Sequence, residues 1–246
     1  MNFLFPLPLA SAGLVFAFEH SNVAGKVVIL LLSLGSIFSW SVMVTKFVFL
    51  RNARIETKLF LKRYRNSRYP LEIYAEQKRY SVSPMAAIYQ AGSDELAFHL
   101  LGSTEVDETF QARLHSADPV DATAMASVRS AMERAVGEEM LKLDSQLILL
   151  ATAVSGAPFL GLLGTVWGVM DAFSGVAQAG QASLGALAPG VSGALITTVT
   201  GLVVAIPAMF GYNYLITSVR GMTVQMENFA AECAADFEHR YLKART

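Results

Sequence analysis

Hydroxylated and small residues, rather than acids and bases, characterise two uncharged stretches in the second half of the chain. Thr165 lies in APFLGLLGTVWGVMDAF, and Thr197 and Thr198 lie in APGVSGALITTVTGLVVAIPAMFGYNY. A threonine hydroxyl can hydrogen-bond a carboxyl group or a hydrated ion without placing a charge in lipid, or it can bond the carbonyl four residues earlier in its own helix. The residue types therefore predict two helices that either pack together or line a path.

Asp171 is the only formal charge between Ala157 and Tyr212. An acid inside a membrane span is a functional candidate, because burying a charge in lipid is costly. Asp171 also lies close to the polar segment 174–187, which fits a solvated residue at the membrane surface. Both interpretations are kept.

The small residues of these stretches recur at helical spacing and allow two backbones to approach closely in lipid, where water gives helices no reason to associate. The expected packing bands are Gly161, Gly164 and Gly168 in the first stretch and Gly190 to Ala208, including Gly201, in the second. Pro158 and Pro207 each remove a helical hydrogen bond, so each is expected to bend its helix.

The sequence contains no recognisable catalytic or metal-binding pattern. His99 and His115 have no cysteine or histidine at ligand spacing, and no glycine-rich phosphate loop occurs. We therefore expect no enzyme activity, no cofactor and no metal.

The single cysteine, Cys233, cannot form an internal disulfide. The basic run from Lys46 to Arg68 has no base-reading or stacking motif, so it is assigned to a membrane face that can contact anionic lipid and not to nucleic-acid binding.

Composition and charge place the chain in a membrane. It has 246 residues, of which 53% are hydrophobic and 16% are charged, too apolar for an ordinary soluble domain of this size. One basic residue lies in 1–45, fourteen lie in 46–148, none in 149–214 and four in 215–246. Because basic residues near membrane ends stay on the cytoplasmic side, the N-terminus is expected to lie outside the cytoplasm and the C-terminus inside it. No cleaved signal peptide is expected, since no basic region precedes the apolar N-terminal residues.

Hydropathy predicts an all-α membrane protein with three transmembrane helices and long cytoplasmic helical extensions. The expected segments are a periplasmic N-terminal segment at 1–25, transmembrane helix 1 at 26–46, a cytoplasmic helical subdomain at 47–117, a long helix including transmembrane helix 2 at 118–173, a periplasmic hairpin at 174–187, transmembrane helix 3 at 188–214 and a cytoplasmic C-terminal helix at 215–246. Within the cytoplasmic subdomain, short helical runs are expected at 71–77, 84–91 and 94–101, packing against neighbouring copies.

The helices on both sides of the hairpin are expected to extend beyond the membrane. Asp118 and Pro119 resemble a helix start, and no proline interrupts the pattern before Pro158, so one continuous rod is predicted. Its packing face should pair with an apolar stripe on the C-terminal helix or with another subunit. The residues of that stripe are Val219, Met222, Met226, Phe229, Cys233, Phe237 and Tyr241.

The motifs of the two uncharged stretches resemble the core signature of the MotA/TolQ/ExbB family of inner-membrane ion-channel subunits. The likeness is carried by APFLGLLGTVWGVMDAF, LAPGVSGALITTVTGLVVAIPA and GYNYL, and by the three-span layout. The resemblance implies a homopentamer in the bacterial inner membrane that surrounds a pair of helices from an ExbD/TolR-type single-span subunit. Proton flow through an aspartate of that partner would drive a periplasm-spanning TonB/TolA-type protein, for outer-membrane transport or envelope maintenance.

The resemblance also implies roles for individual residues. Thr165 in GTVWG and Thr198 in ALITTVTGL match the family's pore-facing hydroxyls. The implied ion pathway comprises Thr165, Thr197, Thr198 and Asp171. Tyr212 and Asn213 match a Tyr-Asn pair at the cytoplasmic mouth, where anchoring and conduction are both open.

One departure from the family pattern concerns the ion. Gly193 replaces the glutamate that TolQ and ExbB usually carry in the third span, so either the partner's aspartate suffices or Asp171 substitutes. Hydroxyl and carbonyl oxygens also suit Na⁺, so H⁺ and Na⁺ are both open. A non-conducting membrane scaffold or assembly factor is the alternative function, and the sequence does not decide between TolQ-like and ExbB-like duty.

Overall fold

The structure is a computed structural model that describes residues 18–19, 21–78, 80–179 and 184–243. Most of the predicted N-terminal segment 1–25 and residues 180–183 of the predicted hairpin lie outside the described residues. The helices of four or more residues are α1 Val23–Arg65, α2 Glu72–Ala75, α3 Pro84–Leu101, α4 Phe110–Ser116, α5 Ala122–Asp144, α6 Leu147–Ala179 and α7 Leu184–Tyr241.

Three helical stretches are long and apolar enough to cross a membrane: Val23–Arg65, Ala122–Gln178, which is interrupted between Asp144 and Leu147, and Leu187–Tyr241. The prediction of three apolar helices in an all-α chain is therefore confirmed. The first helix begins at Val23 and does not end with the apolar residues, because α1 continues through the basic run as far as Arg65.

The described residues form two compact units. The membrane unit comprises the described residues up to Thr45 together with Gln146–Leu215, and the bundle unit comprises Lys46–Ser145 and the described residues from Ile216 onward. Both α1 and α7 contribute residues to each unit.

The membrane unit has a small buried core and an apolar exterior. Its core brings together three helices through Val28, Leu32, Ala157, Val204 and Ala205. Large apolar side chains on the same helices point outward, including Ile37, Phe159 and Phe210, which are 67–71% exposed. An exterior of this kind fits lipid or a neighbouring subunit and does not fit water.

The bundle unit is built around the C-terminal half of α7, whose predicted apolar stripe is buried. The expected partner was the 118–144 helix or another subunit, whereas the aromatic contacts of the stripe are with α1 and α3. All seven stripe residues are buried, at 0–9% exposure. Phe229 packs its ring against Phe60 and Tyr64 of α1, and Phe237 packs against Tyr89 of α3. Beyond the helix end, the Val120 amide donates to the Tyr241 carbonyl (2.9 Å), and the Lys243 amide donates to the Val120 carbonyl (3.0 Å).

The predicted continuous rod over 118–173 is divided in the structure. Helix α5 ends at Asp144 and α6 begins at Leu147, with Gln146 between them in a left-handed conformation (φ 68°). The rod also begins later than expected: Asp121, and not Asp118, is the N-cap, and its side chain accepts a hydrogen bond from the Ala124 amide (2.8 Å). Neither glycine nor proline is present at the break, so no local sequence signal marks it.

Two other boundaries differ from expectation. The separate runs at 84–91 and 94–101 form one helix, α3, which starts at the Ser83 N-cap and ends at Gly102 in the left-handed region. Helix α3 buries Ile88, Tyr89 and Leu96 within the chain's own bundle unit, so these side chains are not available to neighbouring copies. The predicted hairpin is also shorter, because α6 extends to Ala179 and α7 starts at Leu184.

Candidate functional site

Helices α6 and α7 lie against each other through their glycines. A Cβ atom on Gly161 would lie 2.8 Å from the Thr197 carbonyl oxygen, and one on Gly201 would lie 2.6 Å from the Ala157 carbonyl oxygen. Gly164 faces the Thr197 side chain, and Gly168 faces Ala194, each at 2.7 Å. Any larger residue would push the backbones apart, so these glycines permit the close approach of the two helices.

This close approach brings three threonine hydroxyls to one backbone oxygen. The Oγ1 atoms of Thr165 and Thr197 lie 3.0 and 2.9 Å from the Gly161 carbonyl oxygen, and that of Thr198 lies 3.2 Å from it. The hydroxyls of Thr165 and Thr198 also hydrogen-bond each other. The sequence marked Gly161 only as a packing residue, and its part as the shared acceptor follows from the structure.

Hydrogen-bond counting shows what the Thr165 and Thr198 pair can still bind. Each hydroxyl has one hydrogen and two lone pairs. In one arrangement Thr165 donates to the Gly161 carbonyl and Thr198 donates to Thr165. In the other, Thr198 donates to the carbonyl and Thr165 donates to Thr198. Both hydroxyl hydrogens are used in either case. The hydrogens are consumed inside the subunit while lone pairs remain. The pair therefore presents acceptors, which suit a cation or the O–H of a protonated carboxyl group.

The three threonines differ in burial. Thr197 is completely buried and donates to the carbonyl of Gly161 or Ala194. The chain by itself therefore encloses Thr197. Thr165 and Thr198 are half-buried.

Asp171 lies at a different position, beside the start of α1. The Asn22 side-chain amide donates to the Asp171 carboxylate (3.2 Å), and the Asn22 side-chain oxygen accepts from the Gly25 amide (2.7 Å). Asn22 thus caps α1 and connects it to α6. Asp171 is exposed in the subunit. Sequence reasoning assigned Asn22 no role.

The remaining residues singled out from the sequence do not join the threonines. Pro158 and Pro207 lie inside α6 and α7, which continue through them as helix. Tyr212 is half-buried and Asn213 is exposed, both near the end of the membrane unit. Gly193 is buried and brings no carboxylate to α7. Among the described residues, no group of three or more His, Cys, Asp or Glu side chains could hold a metal.

A buried lysine closes the end of α5 in the bundle unit. The Lys46 amine donates to the carbonyls of Lys142 (3.1 Å) and Leu143 (3.3 Å) and to the Ser145 hydroxyl (2.9 Å). These carbonyls belong to the last turn of α5, where helical partners are missing. Lys46 is only 5% exposed. The sequence analysis assigned Lys46 to the basic membrane face. It contained no signal for the end of α5, which Lys46 caps.

The chain is similar to known membrane proteins along most of its length. The model of the family described as "MotA/TolQ/ExbB proton channel family" matches residues 102–228, just over half of the chain. The Tol-Pal system protein TolQ of Haemophilus influenzae is 31% identical over 87% of this chain and 89% of that protein. TolQ of Pseudomonas aeruginosa is 33% identical over 79% of each.

A third relative carries a different name. The biopolymer transport protein ExbB of Pseudomonas putida is 29% identical over 91% of this chain and 64% of that protein. The family match, the relatives and the three apolar helices agree on a multi-pass membrane protein. The chain belongs to the MotA/TolQ/ExbB proton channel family.

Proposed function

We propose that this chain is an ion-conducting subunit that converts the proton motive force into mechanical work. Five copies would surround the spans of an ExbD/TolR-type partner in the bacterial inner membrane, with the N-terminus periplasmic and the C-terminus cytoplasmic. The work would be passed to a periplasm-spanning TonB/TolA-type protein. Names of both kinds occur among the relatives, TolQ and ExbB, so the proposal covers outer-membrane transport and envelope maintenance.

The single observation that carries the proposal is the half-buried pair of Thr165 and Thr198. Their hydrogens bond within the subunit and their free lone pairs accept. A protonated carboxyl group on a partner helix could donate a hydrogen bond to this pair. The deprotonated carboxylate could not be bound in the same way, because both hydroxyl hydrogens are already donated elsewhere. The pair would therefore bind the protonated carboxyl group in preference to the carboxylate. A carboxyl group that carries protons past α6 and α7 requires this selectivity.

The position of the carboxyl group follows from what this subunit lacks. Gly193 supplies no acid, and Asp171 lies beside Asn22 at the start of α1, away from the threonines. The proton-carrying carboxyl group is therefore assigned to the partner. The same acceptors would bind Na⁺, since hydroxyl and carbonyl oxygens suit a hard cation.

A non-conducting scaffold is the second candidate, and one observation favours it: the hydroxyl hydrogens of Thr165, Thr197 and Thr198 each have an acceptor within the chain. Reconstitution separates the two. Proteoliposomes containing the chain and its single-span partner should take up protons when a potential is applied, and replacing Na⁺ by a large organic cation should leave that flux unchanged. Intact complexes that pass neither ion would support the scaffold.

A further inference from the structure

A groove in the bundle unit runs between α5 and the C-terminal part of α7. Its volume is about 520 Å³, and small side chains line its α7 wall. These are Ala230, Ala231, Ala234 and Ala235. Met132 and Val136 line the α5 side. Shallow alanine walls leave room for a large side chain from another surface.

The rim of this groove is negatively charged. Glu133 on α5 and Glu227 on α7 line it, and within the described ranges neither forms an ion pair or a side-chain hydrogen bond. Arg129 also lines the groove, but its guanidinium is paired with Glu238. Two carboxylates without a cationic partner therefore border an apolar floor.

A surface of opposite character lies on α1, in the same unit. At 100° per residue, positions 51, 54, 58 and 62 fall on one side of the helix, with 55 and 59 beside them. The exposed residues there are Arg51, Arg54, Lys58 and Lys62, with Ile55 at 49% and Leu59 at 57% exposure. The opposite side is the buried one, formed by Leu50, Ala53, Thr57, Phe60 and Tyr64.

We propose that the α1 surface of one copy docks into the α5–α7 groove of a neighbouring copy. Ile55 and Leu59 would enter between the alanines, and Lys58 and Lys62 would lie opposite Glu133 and Glu227. The occupant is a second copy because another face of this chain carries both large apolar side chains and cations, which complement the alanines and the carboxylates of the groove.

The two surfaces differ, so the contact is heterologous. Each copy contacts one neighbour through its α1 surface and the other neighbour through its α5–α7 groove. Repeated contacts of this type close into a ring when the rotation allows it. The inference deepens the proposed function, on which it rests for the existence of an oligomer, by naming the surfaces through which the copies meet.

Paired cysteines test the contact in the complete protein. Leu59→Cys combined with Ala231→Cys should give a ladder of disulfide-linked species on mild oxidation, and each single variant should give none. The native Cys233 is fully buried and stays silent. Leu59→Cys with Phe98→Cys is the matched control, because Phe98 is 54% exposed but lies on α3, outside the groove. A ladder of equal strength from the control pair would overturn the docking.

Charge reversal supplies a second readout that does not depend on cysteine chemistry. Lys58→Glu with Lys62→Glu should raise the concentration at which the oligomer half-dissociates about fivefold, as expected for two exposed pairs. Glu133→Lys with Glu227→Lys should have the same effect. The variant that combines all four substitutions should regain the affinity of the unchanged protein. Full-mass oligomers that form no Leu59–Ala231 ladder would overturn this contact and leave the proposed conduction intact. A ladder without ion flux would overturn the conduction alone.

Discussion

The side-chain hydroxyl of Thr165 on α6 is hydrogen-bonded to that of Thr198 on α7. Both also lie within hydrogen-bonding distance of the Gly161 carbonyl, so two helices contribute to one half-buried polar point in the membrane unit. The glycines of the α6–α7 interface make this approach possible, and the proposed conduction depends on it.

Gly201→Ala should destabilise the protein by about 1–3 kcal/mol, because its methyl group would press on the Ala157 carbonyl of the facing helix. Gly156→Ala is the matched control, since nothing lies within 4 Å of the position that its methyl group would take, and alanine favours helix. Thermal unfolding in detergent should show a lower midpoint for the first variant and an equal or higher one for the second. Equal losses in both would contradict the close α6–α7 packing.

Lys46→Met should cost about 1–3 kcal/mol of stability, because the carbonyls of Lys142 and Leu143 would lose a buried donor. Lys142→Met provides the comparison, since this lysine is exposed and pairs with Glu139, an interaction worth about 0.5 kcal/mol. Chemical unfolding of the two variants measures the difference. A Lys46 variant as stable as the Lys142 variant would rule out the cap.

Asp171→Asn should leave proton flux close to that of the unchanged protein. The carboxylate is exposed and accepts from Asn22, and an asparagine oxygen can accept the same bond. Flux measured in proteoliposomes checks this, with thermal unfolding as the control for folding. Loss of flux in a folded Asp171→Asn variant would place this acid back in the ion pathway.

The Cys233 thiol should resist alkylation in the folded protein up to strongly alkaline pH. Burial raises the pKa of this thiol from 9.0 to about 12, which leaves little of the reactive thiolate. The unfolded thiol ionises near pH 9, so its contribution to stability is complete below that pH and is lost as the pH rises from 9 to 12. Maleimide labelling at pH 8, with and without denaturant, measures this. Rapid labelling without denaturant would contradict the burial.

Sequence periodicity was sufficient to predict the buried side of α7, because the stripe from Val219 to Tyr241 needs only regular helix and a neighbour. It could not predict the break at Gln146, or that Lys46, a residue far earlier in the chain, bonds the carbonyls at the end of α5. The threonines were identified from their motif, but their convergence on Gly161 depends on how closely two backbones approach. The glycines predicted the close approach itself, but the register that brings these hydroxyls to the Gly161 carbonyl has no local sequence signal.

The most direct test of the central claim is proton flux through complexes reconstituted with the single-span partner, comparing the double variants Thr165→Val with Thr198→Val and Thr165→Ser with Thr198→Ser. Valine keeps the shape of threonine and removes both hydroxyls, whereas serine keeps the hydroxyls. We predict that flux is lost in the valine variant and retained in the serine variant while both assemble normally. Undiminished flux through the assembled valine variant would contradict the account.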